Sequence, residues 1–115
     1  MPVIKVTLST ALEESLKKDL AERIISVTAA ILQKPENVHQ AIIDDNKCMV
    51  FGTTPGESAF IAVMAIGEIS PEKGNALTKE YCSMLEALGI SGKRVYVCFN
   101  SKKASEFGCN SALYG

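Results

Sequence analysis

Two blocks of the chain show the same succession of hydrophobic and polar patterns. In the first block, Val3–Leu8 alternates with period two, which predicts a strand with one buried face. Apolar residues then recur at steps of three and four over Leu12–Ile31 and predict an amphipathic helix, with a capping box of Thr10 and Glu13 at its start. Lys34-Pro35 ends this helix because proline disfavours helical backbone in the residue before it.

The remaining elements follow in the same order. Val38–Ile43 predicts a second strand, and Cys48–Phe51 predicts a short extended piece that Gly52 closes. Ser70 is a typical N-cap, and Gly89 is a typical helix stop. The second block has a strand over Ala59–Ile66, a helix from Pro71 to about Leu88 and a strand over Val95–Phe99.

The two blocks superpose when the chain is shifted by 57 residues. The matched pairs are Ile4 with Ile61, Val6 with Val63, Leu20 with Leu77, Ser26 with Ser83, Ala30 with Ala87 and Val38 with Val95. This repeat predicts one domain over residues 1–115, with pseudo-repeats at about 2–52 and 58–100 and a tail at 101–115. Because parallel crossovers are right-handed, two β-α-β units give an α+β fold, in which two antiparallel helices cover one face of a four-stranded mixed sheet.

The second face of this sheet is expected to need a partner. The strands over Phe60–Ile66 and Val95–Phe99 are apolar on both sides, yet two helices cover only one face of four strands. The sequence pattern contains no further helix to cover the other face. We therefore expect the chain to form an obligate homo-oligomer that buries this face between copies.

Composition and charge narrow the range of functions. The chain has 115 residues, of which 47% are hydrophobic and 22% charged, and its formal charge is −1. Such a charge does not attract a phosphate backbone, and no apolar stretch reaches the length of a membrane span, so neither nucleic acid nor membrane insertion is expected. The first residues do not form a signal-peptide pattern, which makes the cytoplasm the default location.

The cysteines and the single histidine do not predict a metal site. The cysteines are scattered without a Cys-x-x-Cys pair, so we expect reduced thiols that mostly pack in the interior. They are Cys48, Cys82, Cys98 and Cys109. His39 directly follows Val38 in a predicted strand, so its side chain is expected on the opposite face, in solvent or at an interface.

A set of short motifs resembles one family in its order and spacing. The motifs are Met1-Pro2, Lys34-Pro35, Phe51-Gly52, Ile66-Gly67, Arg94-Val95-Tyr96 and a degenerate Gly108-Cys109-Asn110. They resemble the tautomerase superfamily, and within it the macrophage migration inhibitory factor branch, over nearly the whole chain. The resemblance implies a homotrimer with an active site at each subunit boundary. It also implies an isomerase that interconverts keto and enol forms of small arylpyruvate-like acids, such as phenylpyruvate, without a cofactor or a metal.

Pro2 is the candidate catalytic residue. Methionine before a small residue is normally removed, which leaves the secondary amine of Pro2 at the start of a strand. An α-amino group has a pKa of roughly 7.7 to 8.0, and an apolar pocket with a nearby cation lowers it toward the range of a general base at neutral pH. From the residues alone, Pro2 is more simply a proline that begins an edge strand, where its missing N–H costs nothing. The resemblance favours catalysis.

Three further positions match substrate-binding residues of the family. The resemblance implies that the ammonium group of Lys34 and the backbone N–H of Ile66 bind the substrate carboxylate, and that Tyr96 enters the pocket of the adjacent subunit. Spacing alone also fits Lys34 as a favourable cation at a helix C-terminus, and the two roles are compatible. Tyr96 alternatively packs as an aromatic ring on the sheet.

Five more positions affect the expected pocket. In the family pattern an asparagine stands in place of Cys98, and a large aromatic residue near the pocket mouth stands in place of Cys109. Phe107 and Tyr114 match apolar pocket positions and restore part of the lost surface, while Val38 takes the place of an aromatic residue. We expect a roomier and less polar pocket.

A second class of function stays open. A cytokine-like signalling protein, whose trimer binds a cell-surface receptor and whose tautomerase site is vestigial, is consistent with the changes at Cys98 and Cys109. Relatives that leave cells do so without a signal peptide, so non-classical secretion is compatible with this alternative. Turnover of phenylpyruvate and binding to a receptor distinguish the two hypotheses.

Overall fold

The computed structural model describes all residues, 1–115, and has the predicted α+β fold of two β-α-β units. The elements are β1 (Val3–Leu8), α1 (Glu14–Leu32), β2 (Gln40–Asp44), β3 (Ala59–Ile66), α2 (Pro71–Glu86), β4 (Val95–Lys102) and a hairpin of β5 (Gly108–Cys109) and β6 (Ala112–Leu113). The sheet order is β2-β1-β3-β4. The pairs β1–β2 and β3–β4 are parallel, and the central pair β1–β3 is antiparallel.

Both helices pack on one face of the sheet and enclose the hydrophobic core. Alternate residues of the two central strands are buried there, as the period-two pattern predicts. They are Ile4, Val6, Leu8, Ala59, Ile61, Val63 and Ala65. Leu20 of α1 and Leu77 of α2, which the repeat pairs, are buried against these strands. Neither helix combines the length and the hydrophobicity that a membrane crossing requires.

The register of the two central strands shows that the sequence repeat corresponds to a local twofold axis in the sheet. Ile4 pairs with Val63, and Val6 pairs with Ile61. The two pairs exchange when the chain is shifted by 57 residues. The repeat found in the sequence is therefore a structural repeat of the sheet.

The predicted match of Val38 with Val95 is wrong by one residue. The 3₁₀ turn over Glu36–Val38 precedes β2, and the 3₁₀ turn over Gly92–Arg94 precedes β4. His39 is therefore the equivalent of Val95, because each follows directly after its turn. For the same reason, β2 begins two residues later than predicted.

The start of α1 differs from the predicted capping box. Glu13 occupies the N-cap position with an extended backbone and without a side-chain cap bond. The Thr10 hydroxyl donates instead to Glu57 Oε2 at 2.7 Å, and Asp45 Oδ2 accepts the backbone N–H of Leu12 at 2.7 Å. The groups that fix this end of the helix come from distant loops, which local spacing does not reveal.

The buried face of α1 also differs from the predicted apolar stripe. The stripe consists of Leu12, Leu16, Leu20, Ile24, Val27 and Ile31. Leu16 belongs to the stripe but is 45% exposed. Thr28 lies outside the stripe but is fully buried, and its hydroxyl shares a hydrogen bond of 2.5 Å with the hydroxyl of Tyr81 on α2. Burial of these two polar groups is tolerated because each satisfies the other.

Three other boundaries differ from the prediction. Cys48–Phe51 forms no strand, and Phe51 makes only an isolated bridge with Thr54. Helix α2 ends at Glu86, two residues before the predicted end. Strand β4 continues to Lys102, three residues beyond the prediction, because it pairs with β3 along the whole length of that strand.

The face of the sheet opposite the helices is uncovered, as predicted. Ile42, Phe60 and Tyr96 expose large apolar surfaces there, and the thiol of Cys98 lies on the same face. Cys82 alone among the four cysteines is partly buried, and the other three are exposed. The expectation that the cysteines mostly pack in the interior is therefore wrong for the single chain.

Candidate active site

Pro2 lies directly before β1 and is held in the sheet by β2. Its carbonyl oxygen accepts a hydrogen bond of 3.1 Å from the backbone N–H of Gln40, and its missing N–H costs nothing at this first position. The side chain of Pro2 is fully buried and lines a cavity of about 330 Å³. The residues around this cavity are Met1, Pro2, Val3, Val38, Gln40, Phe107, Gly108, Cys109 and Tyr114.

Lys34 is placed beside this cavity by the way in which α1 ends. Gln33 has a left-handed backbone with φ of 57°, and the N–H groups of Gln33 and Lys34 both bond to the carbonyl oxygen of Ala29. The chain therefore turns sharply, and Lys34 Nζ donates to the carbonyl oxygen of Ile66 at 3.0 Å. An ammonium group has three N–H donors, so two remain for a ligand.

A second cavity of about 440 Å³ adjoins the first. Its lining consists of Met1, Lys34, Pro35, Val38, Ile66, Ala104 and Tyr114. Three residues, namely Met1, Val38 and Tyr114, line both cavities. Pro2 therefore faces a space next to the one that Lys34 and Ile66 line.

The amino terminus is a weakened base in this setting. Burial lowers its pKa below the ordinary value, and the positive charge of Lys34 lowers the pKa further, because both disfavour the protonated amine. The structure describes the chain with Met1 in place, so this amine belongs to Met1. An unprotonated amine accepts a proton, and the neighbouring ammonium group binds an anion.

The C-terminal tail supplies the outer wall of the Pro2 cavity. The N–H of Tyr114 donates to the carbonyl oxygen of Phe107 at 2.9 Å, and the centroids of the two rings lie 6.4 Å apart. Cys109 lines the same cavity, and interaction with its side chain raises the pKa of the Tyr114 hydroxyl. The tail thus brings both predicted apolar residues and one thiol to Pro2.

Tyr96 and Cys98 lie far from Pro2 within one chain. Tyr96 pairs with Phe60, and Phe60 is five residues along β3 from Ala65, which lies near Pro2 at the other end of the strand. Five residues of strand span about 17 Å, and β3 separates β4 from β1. Cys98 is two residues nearer along β4, about 10 Å from that end of the strands, and β3 also separates it from β1, so neither side chain completes the Pro2 site of its own chain.

His39 is a neighbour of the site that the sequence analysis did not include. The ring is half-buried rather than solvated, with Nδ1 bonded to the carbonyl oxygen of Pro35 at 2.8 Å and a buried Nε2 that has no partner. Burial lowers its pKa, partly offset by the bond to Pro35, and the nearby amino terminus lowers it further. His39 lies opposite Pro2 because β1 pairs with β2 from Val3 and Gln40 onward. The alternation of residues within a single strand does not reveal this neighbour.

The side chains at this site offer no metal centre of their own. No group of three or more histidine, cysteine, aspartate or glutamate side chains lies close enough together to hold an ion. The reactive groups that the chain brings to this site are the terminal amine, the Lys34 ammonium group, the Cys109 thiol and the Tyr114 hydroxyl, with the His39 imidazole beside them.

Comparison with known proteins identifies the family of the chain. A family model described as macrophage migration inhibitory factor (MIF) matches residues 1–115. The chain belongs to the MIF family. The resemblance inferred from the short motifs is thereby confirmed.

Relatives of the MIF family match over nearly their whole length. A MIF homologue from Trichuris trichiura is 27% identical over 116 residues, which cover 99% of this chain and 100% of the relative. The crystal structure of a MIF homologue from Prochlorococcus marinus has a TM-score of 0.92 at 23% identity and covers 98% of this chain and 99% of its own. MIF from Toxoplasma gondii has a TM-score of 0.93 at 22% identity, with coverage of 97% and 99%. The structural matches show a shared fold.

Proposed function

We propose that the protein is a cofactor-independent keto–enol tautomerase of small arylpyruvate-like acids, with Pro2 as its general base. The supporting observation is that Pro2 is fully buried in a mainly apolar cavity next to Lys34. Burial and the charge of Lys34 lower the pKa of the amino terminus when that terminus is Met1. Once Met1 is removed, the same surroundings act on the secondary amine of Pro2 and keep it unprotonated near neutral pH.

In the proposed reaction, Lys34 and the backbone N–H of Ile66 bind the carboxylate of a 2-oxo acid. The unprotonated nitrogen of Pro2 removes a proton from the carbon next to the keto group, the electron pair of the broken C–H bond forms the C=C bond, and the C=O π pair moves to the oxygen to give the enolate. The proton then passes from Pro2 to the keto oxygen, which restores the free amine. Phe107 and Tyr114 provide apolar surface suited to an aryl ring.

In this proposal a neighbouring copy completes the site. The uncovered face of the sheet favours self-association, and the resemblance implies three copies. Because Tyr96 cannot reach the Pro2 cavity of its own chain, we assign it, with Cys98, to the cavity of the adjacent subunit. Cys98 offers only a weak donor and acceptor in place of an amide, so we expect weak discrimination at the far end of the substrate.

The test compares wild type with Pro2→Gly in an ultraviolet assay of phenylpyruvate tautomerisation. Mass spectrometry first establishes that Met1 has been removed from both proteins. We expect kcat/KM to fall by about 10²-fold, which is the usual contribution of a positioned base. Pro71→Gly, at the exposed start of α2, is the matched control and should retain the wild-type rate. Equal rates in wild type and Pro2→Gly would dismiss Pro2 as the base.

The alternative of a cytokine-like protein with a vestigial site makes the opposite prediction. It is motivated by Cys98 and Cys109, which depart from the pocket pattern of the family. Under this alternative the protein, with Met1 removed, has no turnover of phenylpyruvate but binds a cell-surface receptor in a pull-down. Brisk turnover without receptor binding rejects it.

A further inference from the structure

Two motifs of the sequence, Phe51-Gly52 and Arg94-Val95-Tyr96, lie outside the cavities of Pro2 and Lys34 but contact each other. The ring centroids of Phe51 and Tyr96 are 4.9 Å apart, with 38° between the ring planes. The guanidinium carbon of Arg94 lies 5.4 Å from the centroid of the Phe51 ring. Arg94, Phe51 and Tyr96 therefore form one continuous stack, which combines a cation–π contact with an aromatic pair.

The loop over residues 54–57 fixes the Arg94 end of the stack. Nε donates to the carbonyl oxygen of Glu57 at 2.9 Å, and Nη1 donates to Thr54 Oγ1 at 2.7 Å. Nη2 donates to the carbonyl oxygens of Thr54 and Gly56, each at 3.1 Å. Four hydrogen bonds in the plane of the guanidinium group hold it in one orientation. Gly56 has a φ of 134°, and a Cβ there would lie 3.2 Å from Nε, so glycine is required for this close approach.

The same loop region also holds Phe51. The backbone of Phe51 pairs with Thr54, and Gly52 supplies the positive φ, 64°, of the turn between them. The side chain of Tyr96 itself has little cover, since 66% of the residue is exposed. An exposed side chain ordinarily changes rotamer on the picosecond to nanosecond timescale. The stack therefore restrains a ring that the sheet alone would leave free.

The restrained and exposed ring of Tyr96 can contribute to a Pro2 site only in another molecule. Its own chain places Pro2 at the opposite end of the central strands, about 17 Å away along β3. The ring lies on the uncovered face of the sheet, beside the exposed Phe60. A copy that packs on this face meets Tyr96 in the orientation that the stack sets.

We infer that Phe51 and Arg94 are positioning residues, which hold Tyr96 in the orientation needed to complete the Pro2 cavity of a neighbouring copy. This inference rests on the proposed function, which assigns Tyr96 to that cavity. Loss of the stack leaves Pro2 and Lys34 unchanged, so it weakens substrate binding without impairing proton transfer. We expect KM for phenylpyruvate to rise about two- to tenfold, the usual worth of one aromatic pair, with kcat nearly unchanged.

The experiment uses Phe51→Leu and Arg94→Gln, with Phe51→Tyr as the conservative variant that keeps a ring. Lys93→Gln, which removes the adjacent exposed cation, is the matched control. Each protein except Phe51→Tyr, whose new ring would also carry fluorine, is labelled with 3-fluorotyrosine, and the fluorine resonance of Tyr96 is assigned by its absence from Tyr96→Phe. KM and kcat are measured on the same samples. Circular dichroism shows whether each variant folds, and Arg94→Lys replaces Arg94→Gln if the latter does not.

The inference predicts that the Tyr96 resonance shifts and KM rises in both disruptive variants. Lys93→Gln should resemble wild type in both measurements, and Phe51→Tyr should keep the wild-type KM. An unchanged Tyr96 resonance overturns it, and so does a shifted resonance with an unchanged KM. Absence of turnover in wild type instead refutes the proposed function. In that case, the inference is supported if phenylpyruvate shifts the Tyr96 resonance in wild type but not in Phe51→Leu, and is overturned otherwise.

Discussion

Lys34 has two proposed roles that the pH dependence of activity separates. In the proposed reaction its ammonium group binds the substrate carboxylate, and its charge lowers the pKa of the partly buried terminal amine. In Lys34→Ala the pKa of that amine rises towards its ordinary value. Because the base acts only when unprotonated, the rise of kcat/KM with pH moves to higher pH, and KM increases. A rate profile of each variant against pH measures both effects.

Lys79→Ala is the matched control for this prediction. Lys79 is an exposed lysine of α2, so its removal changes the net charge equally but leaves the cavities intact. We expect its profile to coincide with that of wild type. If kcat/KM of Lys34→Ala rises over the same pH range as kcat/KM of wild type, Lys34 does not lower the pKa of the base.

The hydrogen bond between Thr28 and Tyr81 couples the two helices inside the core. Tyr81→Phe or Thr28→Val leaves one buried hydroxyl without its partner, which costs about 1–3 kcal/mol of unfolding free energy. In the double variant no hydroxyl remains unpaired, so the loss is smaller than the sum of the two single losses. Urea unfolding at one fixed protein concentration measures all four proteins. Strictly additive losses would show that the hydroxyls do not interact.

The candidate site is predictable from sequence where short motifs place its residues. Pro2 and Lys34 each adjoin a turn or a terminus, and the structure brings them to adjoining cavities. The neighbourhood of His39 is not predictable in this way, because its position depends on the pairing of two strands 37 residues apart. The stack on Tyr96 is likewise hidden, since Phe51 and Arg94 meet only after the sheet forms.

At the scale of elements, Asp45 fastens the start of α1 to the loop after β2. Its carboxylate accepts the N–H of Leu12 and contacts Lys17, and these interactions lower the pKa of Asp45. A carboxylate whose pKa is lowered by folding stabilises the fold above its unfolded pKa, and this stabilisation disappears as pH falls through the folded value. Asp45→Asn should therefore be less stable than wild type at neutral pH and approach it in acid.

Thermal unfolding between neutral pH and pH 3 tests this prediction. Asp19→Asn is the matched control, because Asp19 is an exposed aspartate on α1. Its difference from wild type should stay small across the range. A deficit of Asp45→Asn that persists undiminished at the lowest pH contradicts an ionic role for Asp45.

The central elements are predictable to the residue, whereas the outer ones are not. The bounds of β1 and β3 agree with the sequence pattern because both strands alternate over a buried core face. Strand β4 extends to Lys102 because Ile66 offers it a partner, a fact that lies outside its own sequence. The predicted capping box of Thr10 and Glu13 is wrong for a similar reason, since the Thr10 hydroxyl bonds to Glu57 and the chain before α1 is held by Asp45.

At the scale of the molecule, we expect the uncovered face of the sheet to determine assembly. We expect wild type to have three times the 12.3 kDa mass of the chain, as the family resemblance implies. Phe60→Asp places a charge on this face and should give a monomer that lacks tautomerase activity, because burial of an unpaired carboxylate is unfavourable. Size-exclusion chromatography with light scattering measures the mass.

Leu16→Asp is the control for assembly. Leu16 is 45% exposed and Phe60 is 41% exposed, but Leu16 lies on a helix rather than on the uncovered face. The Leu16 variant should keep the wild-type mass. If Phe60→Asp also keeps it, the assembly does not use this face of the sheet.

The local twofold axis makes each half of the molecule a replicate of the other for engineering. Val6 and Val63 occupy equivalent, fully buried positions, so alanine at either site removes the same atoms from the same kind of surroundings. The helices above them differ, with Ile24 in α1 where α2 has Tyr81. Because both valines and both helix residues belong to one core cluster, any inequality between the two alanine variants measures how differently the two halves of the core relax around a void.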